Sequence, residues 1–146
     1  MTAGALLTNT TPGLIDLGLM FARAFIGVCF VVHGLGKLGI VGDGNLDGFA
    51  DWLKSLGMPA PALQARMAMV SEIVGGVALT AGFMMRPACV LLIFTMAVAG
   101  VIGHKGSGYL ITNDPPGAGY TINLAALCFV LFLTGPGAIS LDAMIF

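Results

Sequence analysis

Apolar residues fall along this chain in four long runs, Leu14–Leu35, Leu63–Met85, Pro87–Gly103 and Gly119–Thr134. Short stretches rich in glycine, proline and charge separate them. A bilayer core takes about 20 mostly apolar helical residues, so each run predicts one span, with the third and fourth on the short side. Between the first two runs, Phe49, Trp52, Leu53 and Leu56 recur at i, i+3, i+4 and i+7, which is one face of a helix. This predicts a short amphipathic helix over 47–56, capped by Asp47 and stopped by Gly57 and Pro59. It would lie at the interface with Trp52 at headgroup depth, or pack as a loop helix on the bundle mouth. Met1–Gly13 reads as a loosely ordered, Thr-rich lead. The expected fold is all-α: an integral membrane four-helix bundle with a short interfacial helix after the first span.

Composition narrows the class. The chain is 58% hydrophobic and only 9% charged, with a mean hydropathy of +0.99, whereas soluble domains carry about a quarter charged residues. A net charge of −1 with no basic run excludes a nucleic-acid footprint. The first thirteen residues hold no Lys or Arg, and Asp16 and Arg23 interrupt the first run, so that run is expected to stay in the mature chain. An even span number puts Lys37, Lys54, Arg66 and Lys105 on one side and Arg86 alone on the other. The positive-inside rule then makes loops 36–62 and 104–118 cytoplasmic.

Two constellations carry candidate chemistry. Arg23 and Glu72 each sit near the middle of a run, and an intramembrane charge is costly unless paired. The expectation is an Arg23–Glu72 ion pair, serving either helix register or a proton or ligand site. The second constellation is His33, Lys37, His104, Tyr120 and Asn123, which topology brings to one membrane level from spans 1, 3 and 4. His33 and Lys37 are four apart, hence on one helix face. Such donors at the mouth of an apolar bundle suit a quinone carbonyl, and imidazole can move protons near neutral pH. They equally suit snorkelling residues in contact with water. Two histidines at one level also match a bis-histidine haem pair, but nothing else supports haem. Cys29, Cys89 and Cys128 each stand alone in an apolar run and read as small buried hydrophobes; no metal site, flavin motif or phosphate loop is readable.

Several motifs occur together in one order: Arg23-x3-Gly27-x2-Phe30-x2-His33-Gly34-x2-Lys37, Leu56-Gly57-Met58-Pro59, Glu72-x2-Gly75-Gly76, Arg86-Pro87, and Gly135-Pro136-Gly137 followed by Ser140-Leu141-Asp142. In this the chain resembles the DoxX family of small bacterial membrane proteins over nearly its whole length from Leu14. Many members open the fourth span with Gly-Tyr-Glu, whereas this chain reads Gly119-Tyr120-Thr121, so a glutamate-dependent proton role there does not carry over. The resemblance implies a four-helix bundle in the bacterial inner membrane, with Arg23, His33, Lys37 and Glu72 as the matching site positions. Relatives include the DoxD subunit of a thiosulfate:quinone oxidoreductase, which points toward quinones and redox partners.

The leading functional expectation is a membrane subunit of a quinone-linked oxidoreductase assembly. Here Arg23 and Glu72 form a mid-membrane pair, while His33, Lys37 and Tyr120 face the headgroup. Besides the lipid bilayer, its partner would be another membrane or peripheral redox subunit, and the chain could also self-associate. A non-catalytic anchor that docks a partner protein is the alternative. A small transporter or proton pathway is the third, although no inverted repeat is visible between the halves.

Overall fold

The computed structural model describes residues 11–146. Of the lead expected over Met1–Gly13, the first ten residues lie outside the described ones, and Pro12 and Gly13 already belong to a helix. Among the described residues six helices follow one another: α1 (Pro12–Lys37), α2 (Leu46–Ser55), α3 (Pro61–Ala81), α4 (Met85–Val98, continued by a π-helical turn over Ala99–Gly103), α5 (Gly119–Thr134) and α6 (Leu141–Ile145). No strand occurs among the described residues. α1, α3 and the stretch Met85–Gly103 are long and apolar enough to cross a bilayer. α5 is apolar but has only 16 residues, about 24 Å of helix. The chain is an all-α membrane bundle with a short helix after its first span.

Local chemistry explains where these helices begin and end. Pro12 and Pro61 open α1 and α3, where a missing N–H costs nothing. α3 stops at Ala81, short of the expected Met85, because Gly82 takes a left-handed conformation (φ +66°) and Phe83 N–H turns back to the Ala78 carbonyl at 2.9 Å. Arg86 and Pro87 therefore lie in the first turn of α4 rather than forming the connection. α2 is capped by Asn45, whose side chain accepts from Gly48 N–H at 2.6 Å. Asp47, the expected cap, sits two residues later in the first turn, where its charge favours the helix dipole.

Packing runs α1 on α3, α3 on α4 and α4 on α5, while α1 and α5 barely meet. Phe30, Leu79, Met85, Cys89, Leu92 and Cys128 fill the centre, all fully buried. The thiols of Cys89 and Cys128 are among these packing groups, and none of the three cysteines is bridged. Phe21, Phe25, Val74, Phe94 and Val101 point outward, as lipid-facing positions do. α1 and α3 touch backbone to backbone: a Cβ on Gly76 would lie 2.6 Å from the Gly27 carbonyl oxygen, and one on Gly34 would lie 2.5 Å from the Ile73 side chain. Gly27→Ala should therefore push the helices apart and lower stability by about 1–3 kcal/mol. Thermal unfolding in detergent micelles checks this; an unchanged midpoint would mean the glycine contact does not set the spacing.

These glycine contacts also fix the antiparallel register. Gly27 faces Gly76 and Thr80, and Gly34 faces Met69 and Ile73. Arg23 therefore lies level with the end of α3 and not with its centre. Thr80 is eight residues beyond Glu72, so the two charges are separated by about 12 Å along the helix axes. The expected Arg23–Glu72 ion pair does not form.

Candidate functional site

The end of the bundle that carries α2 gathers most of the predicted residues. Lys37, in the last turn of α1, reaches α3 and donates from Nζ to Glu72 Oε2 at 2.5 Å. The pair is largely shut off from solvent, with side-chain exposures of 18% for Lys37 and 5% for Glu72. The same ammonium lies 5.1 Å from the centre of the Phe49 ring of α2, a cation–π distance. Phe49 stacks in turn on Trp52 at 5.7 Å. Trp52 closes the stack, because its ring occupies the space where a side chain on Gly103 would stand. The amphipathic helix is thus tied to the bundle mouth by an aromatic pair that ends on a partly buried cation.

One turn before Lys37, His33 crosses toward α5 and meets Tyr120, ring centres 4.9 Å apart and tilted by 47°. This is one of the few places where α1 and α5 touch. Neither the imidazole nor the phenol hydroxyl makes a protein hydrogen bond among the described residues, and both are partly open to the surroundings. A groove of about 610 Å³ begins at His33 and Lys37 and runs between the end of α1 and α2, bounded by Val32, Val41, Asn45 and Phe49. It offers apolar walls, one ring nitrogen and one paired ammonium.

Not every predicted residue joins this site. His104 donates from Nδ1 to the Pro116 carbonyl at 2.7 Å, and Asn123 accepts from the Tyr109 hydroxyl at 2.8 Å. Both are tied into the loop before α5, and neither lines the groove. Arg23 belongs to the opposite end. It is buried, donates to the Thr80 carbonyl at 2.6 Å and to that of Ile139, and approaches the Leu79 carbonyl at 3.5 Å. Among the described residues no three His, Cys, Asp or Glu side chains converge as metal ligands would.

Comparison with known proteins fits this picture. The DoxX profile matches residues 18–105, which contain α2, α3, α4 with its π-helical turn and all but the first turns of α1. The chain belongs to the DoxX family. It is 34% identical over 129 residues to the inner membrane protein YphA of Escherichia coli (strain K12), covering 85% of this chain and 87% of that protein. No solved structure matches. With its membrane-length helices, this DoxX protein is a multi-pass protein of the inner membrane.

The closing motif, outside the matched stretch, has a structural task that its sequence does not announce. Asp16 accepts from Ala138 N–H at 2.8 Å, and Ser140 caps α6 by accepting from Ala143 N–H at 3.1 Å. Asp142 accepts from the Met84 and Met85 N–H groups at 2.7 and 3.0 Å, capping α4. Met84 takes a left-handed conformation (φ +47°) and offers no cap of its own, so the carboxylate arrives from the far end of the chain. Phe49 was the other residue missed. Its only sequence signal is membership of the apolar face of α2.

Proposed function

We propose that this DoxX protein is a membrane subunit of a quinone-linked redox assembly, and that His33 and Tyr120, beside the Lys37–Glu72 pair, bind the quinone headgroup. The observation that carries the reading is the His33–Tyr120 contact. Two hydrogen-bonding rings from different helices meet at the bundle mouth, with their polar atoms uncommitted among the described residues. A quinone presents carbonyl acceptors on a flat apolar ring, which suits the imidazole donor beside the Val32, Val41 and Phe49 walls, with the Tyr120 phenol against His33 at the edge of the groove. When bound, a quinone supplies two-electron, two-proton chemistry. This chain's residues contribute the hydrogen bonds that orient the headgroup and a nearby fixed charge pair. His33 is placed to hold a proton at its ring nitrogen. The family resemblance adds weight, because DoxD relatives serve a thiosulfate:quinone oxidoreductase. Electrons would come through a second subunit.

The single tryptophan offers a direct test, since Trp52 stacks on a groove residue. Titrating a short-chain ubiquinone into the protein in nanodiscs should quench Trp52 saturably. His33→Ala should weaken that binding by about tenfold, the worth of one hydrogen bond. Tyr120→Phe keeps the ring and loses the hydroxyl, and should weaken it less. Equal, non-saturating quenching in all three would reject the site. A second reading, a non-catalytic anchor for a partner protein, draws on the fact that Arg23, Lys37 and Glu72 all find partners within the chain. It predicts a protein partner retained through purification and no saturable quenching.

A further inference from the structure

α5 is the short member of the bundle. Its 16 residues reach about 24 Å, against a hydrocarbon thickness of about 30 Å. Its exposed stripe reads Asn123, Leu127, Val130, at i, i+4 and i+7. Leu127 and Val130 are apolar and outward-facing, as lipid contacts are. Asn123 continues the same stripe about 6 Å inside the helix start. An amide on a water-facing stripe needs no protein partner; on a lipid-facing one it does.

That partner is supplied by the loop. The Tyr109 hydroxyl reaches back to donate to Asn123 Oδ1 at 2.8 Å. Carbonyls of the loop tie it to the start of α5: Gly117 N–H donates to Leu110 O at 2.9 Å, Ala118 N–H to Gly108 O at 2.8 Å and Gly119 N–H to Tyr109 O at 2.8 Å, with Asn113 N–H on Leu110 O at 3.1 Å, while the N–H groups of Tyr109, Leu110 and Ile111 meet no protein acceptor among the described residues. The Asn113 side chain also donates to the Ser107 carbonyl at 2.6 Å. Backbone N–H groups without a protein acceptor need water, so this backbone stays at the hydrated headgroup level and only its side chains reach deeper. The side chains divide to match. Tyr109, Leu110 and Ile111 are 52%, 59% and 64% exposed, while Thr112, Asn113 and Asp114 follow as a polar edge.

We infer that the side chains of Tyr109, Leu110 and Ile111 enter the headgroup–acyl boundary of the bilayer beside the start of α5, their backbone staying at the hydrated level, and so extend the short apolar surface of α5. Its partner is lipid. The arrangement bears on the site as well, because Gly119 N–H on Tyr109 O fixes the height at which Tyr120 enters the bundle to meet His33. The inference does not depend on the quinone reading.

The test is depth-dependent fluorescence in a Trp52→Phe background, so that one reporter remains. Ile111→Trp and Asp114→Trp are each reconstituted in phosphatidylcholine–phosphatidylglycerol vesicles with brominated acyl chains. The reporter at 111 should emit at short wavelength and be quenched by bromolipid but not by aqueous iodide. The reporter at 114 should show the reverse. Iodide quenching at 111 equal to that at 114 would overturn the inference. A conservative second probe is Tyr109→Phe, which should shift the depth of the 111 reporter toward the surface; an unchanged depth would show that the hydroxyl bond to Asn123 does not hold the loop down.

Discussion

Glu72→Ala should be among the most damaging single substitutions in this protein, costing about 3–5 kcal/mol, because it strands the Lys37 ammonium among apolar walls. The geometry sets that expectation. Glu72 is the acceptor for Lys37 at 2.5 Å, both side chains are withdrawn from water, and the Phe49 ring behind the ammonium replaces little of a lost carboxylate. Breaking one side of a buried pair is worse than removing both. The double variant Lys37→Met with Glu72→Leu should therefore recover most of the loss in thermal unfolding. Exchanging the two charges, Lys37→Glu with Glu72→Lys, should recover part of it. Exchanging Arg23 with Glu72 should recover nothing, since those residues sit at different levels of the bundle. If the Lys37→Met/Glu72→Leu protein melts no higher than Glu72→Ala alone, the pair is not what holds the mouth together.

Why the sequence suggested the wrong partner for Glu72 is itself informative. Hydropathy locates a helix well, and the runs at 14–35 and 119–134 correspond closely to α1 and α5. Periodicity likewise located α2 from Phe49, Trp52 and Leu53. Register is another matter. Matching Arg23 to Glu72 assumed that the middle of each run marks the middle of the membrane. α1, with 26 residues, overshoots α3 at the Arg23 end, and the offset is set by where Gly27 and Gly34 let the α3 backbone approach. The pattern of glycines was visible; the pairing of one glycine with another across helices is a three-dimensional fact. The donor cluster was partly legible for the same reason. His33 and Lys37 share a face by helix geometry alone, and Tyr120 follows from topology. His104 and Asn123 occupy the right level but spend their hydrogen bonds on a loop whose fold no periodicity announces.

Arg23→Met should cost about 3 kcal/mol or more, because it leaves buried carbonyls without a donor and removes charged hydrogen bonds. The loss should be local in a way that separates a structural arginine from a catalytic one. The Thr80 carbonyl is at the C-terminal end of α3, where carbonyls lack helical partners and a cation is favoured. The Ile139 carbonyl belongs to the closing segment, three residues before Asp142, which caps α4. One guanidinium therefore joins the end of α3 to the strap that starts α4. Its planar fork serves two carbonyls at once, so Arg23→Lys should restore only part of the stability. Amide hydrogen exchange should accelerate in Arg23→Met at Met84, Met85 and Ala143, whose N–H groups Asp142 and Ser140 hold, and much less at the α2 end of the bundle. Trp52 quenching by quinone in the folded fraction should stay as in the parent protein, since Arg23 touches nothing at the His33–Tyr120 contact. Loss of quinone quenching with unchanged exchange at the strap would reverse the assignment and return Arg23 to the ligand site.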